Sequence, residues 1–110
     1  MKTYQPSRTI YAFHIAGFQF WDGADALARL EPGTRLELVP EFDNPHDPSA
    51  LALYLGDLKL GFVPAELNET VATMVYYGHA DAFEVVVQQV APERSPWHQV
   101  RVALRVTDAR

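Results

Sequence analysis

Between Gln99 and Thr107 every second residue is apolar, Val100, Val102, Leu104 and Val106, while Arg101, Ala103, Arg105 and Thr107 fill the positions between. Side chains on an extended chain alternate between two faces, so this run specifies a strand with one face in a core. Residues 83–90 form a second β-rich run of similar length. The two are expected to pair antiparallel around the 91–98 loop, with Val100, Val102, Leu104 and Val106 buried together.

The rest of the chain is cut into shorter pieces. Eight prolines and six glycines are spread along the 110 residues, which suits strands joined by turns better than a helical bundle. Residues 11–21 are nearly all apolar or aromatic, interrupted by His14, Gly17 and Gln19, and read as a strand in which Gly17 marks a bulge or a close backbone approach. Alternation then puts Phe18 and Phe20 on one face and Gln19 and Trp21 on the other. Residues 22–30 carry Leu27 and Leu30 at helical spacing, with Asp22 or Asp25 near the start and Pro32-Gly33 beyond the end, the signature of a short helix. Leu36, Leu38 and Pro40 alternate in a strand, and 50–55 with 59–63 flank Gly56-Asp57 as a hairpin. A second helix is expected over 64–77, with Leu67, Val71, Met74 and Val75 in one stripe, Pro64 in its first turn and Gly78 as its stop. The order β-α-β-β-β-α-β-β predicts a mainly β fold with two helices, a small OB-like barrel plugged by a helix and forming one domain over residues 1–110.

Composition removes several function classes. With no cysteine there are neither disulfides nor thiolate metal sites. The nine Lys and Arg against fourteen Asp and Glu give a net charge of −5, which argues against a protein that coats nucleic acid by phosphate neutralisation. The cations are also dispersed, at Lys2, Arg8, Arg29, Arg35, Lys59, Arg94, Arg101, Arg105 and Arg110. No phosphate-cradling loop, G-x-S-x-G or cysteine nucleophile is present, and His14, His46, His79 and His98 fall in different elements without the spacing of a zinc site. The expectation is a binder rather than an enzyme, with no cofactor and no metal. Residues 1–8 lack the apolar core of a signal peptide and no segment approaches the ~20 apolar residues of a spanning helix, so a soluble cytoplasmic protein with no membrane partner is expected.

Residues 41–50, Glu-Phe-Asp-Asn-Pro-His-Asp-Pro-Ser-Ala, are the densest group of turn formers in the chain. Two prolines preset φ while Asn44, Asp43 and Asp47 can bond nearby backbone N–H groups, so this is a rigid turn, the kind of loop on which binding residues sit. On local chemistry alone it is equally a well-made turn whose Asn44 and Asp47 serve only their own backbone.

The wider pattern is Ile15-Ala16-Gly17-Phe18-Gln19-Phe20-Trp21, then Asn44-Pro45-His46-Asp47 with Ala50 behind it, then Leu60-Gly61-Phe62-Val63-Pro64 before a helix. In this order and spacing, from about His14 to Thr107, the chain resembles the HIRAN domain, a family found fused to Swi/Snf-type translocases and as free-standing bacterial proteins. The resemblance implies a small barrel that binds the unpaired 3′-hydroxyl end of single-stranded DNA, in repair or replication-fork processing, alongside a translocase, helicase or nuclease partner. Its implied DNA-binding residues are Gln19, Phe20, Trp21, Asn44, His46, Asp47 and Phe62. Phe20 and Trp21 would stack on bases, His46 would face the terminal sugar or base, Asp47 would accept the 3′-hydroxyl, and Asn44 would hold loop or ligand. Two positions depart from DNA-end-binding members: Gln19, where a basic residue is usual, and Ala65, near a usual lysine. The competing reading is a protein-interaction module that kept the fold, lost its phosphate contacts and uses Trp21 and Trp97 against a partner.

Overall fold

The structure, a computed structural model, describes residues 7–107. The signal-free reading of the first six residues, and the cations Lys2 and Arg110, lie outside them. Six strands, β1 (Ser7–His14), β2 (Arg35–Pro40), β3 (Leu51–Leu55), β4 (Leu58–Phe62), β5 (Phe83–Val90) and β6 (Val100–Thr107), form one antiparallel sheet in the order β1-β6-β5-β2-β3-β4. Two helices, α1 (Gly23–Ala26) and α2 (Ala65–Tyr76), complete it.

The β5–β6 pair forms as the alternation requires. Phe13 on β1 and Val87 on β5 flank Val102, and Val85 lies opposite Leu104, so one buried row crosses three strands. Each such side chain contributes roughly 1.5–3 kcal/mol when fully removed from water. Val100, Val102 and Leu104 are buried, but Val106, one residue from the strand end, is half-exposed. Ala103, expected on the wet face, is also buried: its methyl sits between Ala12 and Val86 of the flanking strands and is too short to reach past them.

Residues 11–21 do not continue as one strand. β1 ends at His14, and Gly17, in the left-handed region at φ 72°, turns the chain into a 3-10 turn over Phe18–Phe20. The tighter turn replaces the two-residue alternation, so Phe18 points into the core while Gln19, Phe20 and Trp21 all face outward. The helix read over 22–30 splits into α1 and a 3-10 turn, Leu27–Arg29, and Asp22 is not its side-chain cap. Its carboxylate instead accepts the Lys59 amide at 3.1 Å, and its own N–H donates to the Lys59 carbonyl at 2.8 Å. β4 is the last strand of the sheet, and Asp22 satisfies its outer edge.

α2 seats on the core through Asn68, Val71, Ala72 and Val75, while Met74 is exposed. The contact stripe is therefore centred on Val71, which turns Met74 outward and brings Asn68 in. Of the described residues, no helix is long and apolar enough to cross a membrane.

The sheet is OB-like without closing into a barrel. Its two ends meet at one bridge: the Ala16 N–H donates to the Phe62 carbonyl at 2.9 Å, and the Phe62 N–H to the Ala16 carbonyl at 2.8 Å. Gly61 makes that approach possible, because a Cβ there would stand 2.3 Å from the Ala16 oxygen and φ is 146°. This bridge sets Trp21 and Phe62 side by side.

Candidate nucleic-acid interface

The motif turn is pinned at its base, where the Glu41 N–H donates to the Ala50 carbonyl at 2.9 Å. Inside it Asn44 Oδ1 accepts from the N–H groups of His46, at 2.9 Å, and Asp47, at 3.1 Å. Asn44 Nδ2 donates to Glu41 Oε1 at 3.1 Å. Asp47 Oδ1 accepts from the Ser49 N–H and Oδ2 from Asn68 Nδ2, each at 2.9 Å. The rigid turn read from the prolines and Asx side chains is present, and Asn44 is committed to holding it. Asp47 is not: a carboxylate offers about four acceptor sites, and two are taken.

Lys59 Nζ reaches Glu41 Oε2 at 2.6 Å and stands 3.8 Å from the Trp21 ring centre and 4.5 Å from that of Phe62. Its side chain is 13% exposed and that of Glu41 23%. A cation set between two aromatic rings and a carboxylate fixes the direction of the Trp21 indole. Trp21 and Phe62 themselves meet edge-to-face at 5.9 Å.

These groups surround a cavity of about 440 Å³. Trp21, Phe62, Ala16 and Val63 wall it, and Asn44, His46, Asp47 and Asn68 line its polar side. Five of the seven residues singled out in the sequence, Trp21, Asn44, His46, Asp47 and Phe62, thus share one cavity. Gln19 and Phe20 do not line it. They lie just outside on the 3-10 turn, with Phe20 75% exposed.

Two contributors, Asn68 and Lys59, and the pairing of Lys59 with Glu41 were not legible in the sequence. Asn68, 3% exposed, falls outside the apolar stripe expected of its helix, yet it orients Asp47. Lys59 and Glu41 are eighteen residues apart and meet only through the β2-β3-β4 register. Lys59 is thus a cation beside the motif turn, neutralised by Glu41. Two carboxylates, Glu41 and Asp47, line the cavity, and among the described residues no Lys or Arg does.

A small β sheet that carries an ordered Asx turn over an aromatic-walled, carboxylate-bearing cavity defines a ligand-binding module. The chain belongs to the HIRAN domain family, whose model matches residues 10–107; HIRAN domains are nucleic-acid-binding modules. The fold is similar to that of a crystal structure of a protein from Lactobacillus plantarum, with a TM-score of 0.76 and 19% identity over 93% of this chain and 96% of that one. No protein of curated function matches the chain.

Proposed function

We propose that the cavity receives the unpaired 3′-hydroxyl end of a DNA strand and holds it without chemistry. The observation that carries this is the Asp47 carboxylate, fixed from both sides by Ser49 and Asn68 yet open to the cavity beside two aromatic walls. A carboxylate repels phosphate, so at a nucleic-acid terminus its use is to accept a hydroxyl hydrogen. Trp21 and Phe62 offer faces for the terminal base or sugar, and His46 lines the same opening. Gln19 and Phe20 would meet the strand just outside. The domain would act as an end-recognising module for a translocase, helicase or nuclease in DNA repair. Among the described residues no three or more His, Asp or Glu gather as a metal-ligand set, and the Ser95–His98 side-chain contact, at 3.3 Å, is exposed and lies outside the cavity. The isolated chain is therefore proposed to turn over neither ATP nor nucleic acid.

The test is a pair of titrations at low salt with one short single strand ending in a 3′-hydroxyl or a 3′-phosphate. A preference for the hydroxyl of on the order of 1.5–3 kcal/mol, the range for a hydrogen bond to a charged group, is expected. Asp47→Asn should shrink that preference, while Phe20→Ala weakens both ligands alike. Equal affinities would remove the reading.

One observation favours protein docking as a second reading. Phe42, Tyr76 and Tyr77 stack edge-to-face at 5.4 and 5.1 Å on the far side of the motif turn, all exposed, and border a groove of about 260 Å³. If neither oligonucleotide binds, this aromatic face becomes the leading interface.

A further inference from the structure

A strand held by its end still has phosphates to place, and among the described residues no Lys or Arg lines the cavity; Lys59, stacked on Trp21 and Phe62, is already bonded to Glu41. Cations without partners gather elsewhere. His14 ends β1, and Arg101 is its register partner on β6. Arg94 and His98 come from the loop between β5 and β6, where Pro96–His98 forms a 3-10 turn. The His14 and His98 rings meet edge-to-face at 5.1 Å, and Ser95 Oγ lies 3.3 Å from His98 Nδ1.

Among the described residues neither Arg94 nor Arg101 has a carboxylate within 4.0 Å; the ion pairs present use Arg35, Lys59 and Arg105. Glu93, next to Arg94, pairs with none of them. Burial first, then the charges of Arg101, His98 and Arg94, hold the His14 imidazole below its usual 6.5. Like charges kept together without a counter-charge are unfavourable, and an anion between them removes the cost. The location completes the argument. The Pro96–His98 turn packs against the Phe18–Phe20 turn, which leads directly into Trp21 in the cavity wall.

We propose that His14, Arg94, His98 and Arg101 form a phosphate-docking site for the backbone of the strand, which leaves the Asp47 cavity across Trp21 and Phe20. This rests on the end-binding reading only for where the strand comes from. The two guanidinium groups supply planar donors suited to phosphate oxygens, and the ring N–H groups of His14 and His98 add further donors. The arrangement reconciles a net charge of −5 with a polyanionic ligand, since among the described residues neither arginine is paired with a carboxylate. It also supplies contacts that Gln19 and Ala65 do not.

The experiment titrates the full chain with a 3′-hydroxyl hexanucleotide and a 3′-hydroxyl dinucleotide over a salt series, for the parent, the Arg94→Ala/His98→Ala double variant and Arg101→Gln. Melting curves confirm that each variant is folded. Hexanucleotide affinity should fall on the order of tenfold in the double variant, and its log–log salt slope should shrink by about 0.7 for each phosphate no longer neutralised. The dinucleotide, too short to leave the cavity, should bind all three proteins equally. Unchanged hexanucleotide affinity and slope in both variants overturn the docking site while leaving end recognition standing. Arginine-dependent binding that ignores a 3′-phosphate does the reverse, and no hexanucleotide binding by the parent overturns both.

Discussion

The turn over residues 41–50 and the loop over 91–98 both join neighbouring strands or lead between them, and both are rich in proline and polar side chains, yet they solve opposite problems. In the first every charged group that the cavity uses has a fixed partner: Asp47 with Asn68 and Ser49, Glu41 with Lys59 and Asn44. At the second, Arg94 of the loop and Arg101 of β6 have no acidic partner among the described residues and lie beside His14 of β1 and His98. A satisfied network holds a shape, whereas an unsatisfied cluster of one sign holds an affinity. The comparison therefore assigns geometry to the motif turn and charge to the loop.

The largest expected effect removes what both regions stand on. Val102 is fully buried between Phe13 and Val87, and Val102→Asp puts an unpaired carboxylate there, at a cost of more than about 4 kcal/mol in a denaturant titration. Gly61→Ala attacks the joint between the two ends of the sheet. With a Cβ 2.3 Å from the Ala16 oxygen, it should lose about 2–3 kcal/mol and displace Trp21 from the cavity, read as a change in tryptophan fluorescence.

Within the motif turn, Asp47→Ala leaves the buried Asn68 amide without its acceptor and should cost about 1–3 kcal/mol in thermal melts. A melt indistinguishable from the parent would mean that the turn is not held as described. Lys59→Met strands Glu41 with only Asn44 and should cost about 1 kcal/mol, with Glu41→Gln recovering part of it in a double-mutant cycle.

The smallest effect belongs to His14, on β1 beside the loop. Because His14 is held below 6.5 when folded, the unfolded chain binds the proton more readily, so this contribution to stability is complete above pH 6.5 and is lost as pH falls towards the folded value. Chemical denaturation between pH 7.5 and 5 should show that slope, and His14→Gln should flatten it. A slope of opposite sign would mean that His14 gains an acidic partner rather than cationic neighbours.

Much of the fold was legible because period and punctuation are local. The β6 alternation, the Gly56-Asp57 hairpin, the 65–76 helix with Gly78 after it and the order of the elements all follow from short-range pattern. The errors share a cause. At Phe18–Phe20 a left-handed glycine replaced the strand period with a 3-10 turn, which composition could not distinguish from an aromatic strand. On α2 the choice between Met74 and Asn68 as the inward residue was made by Asp47, twenty-one positions away. In the cavity, Trp21, Asn44, His46, Asp47 and Phe62 could be named from motif and resemblance, but nothing in sequence spacing links Lys59 to Glu41.

What the sequence alone determined is the set of parts: a mainly antiparallel β chain, an Asx-stabilised turn, an aromatic approach to it, and too few cations for indiscriminate nucleic-acid binding. The tertiary structure decided which parts meet. Strand register carried Lys59 to Glu41, the Gly61 contact drew Trp21 beside Phe62, and the β1–β6 register with the β5–β6 loop gathered His14, Arg101, Arg94 and His98 at one end of the sheet. Turn and strand preferences act over a few residues and can be read along the chain. Charge pairing and cavity formation act across space, so they exist only once the sheet has set the distances.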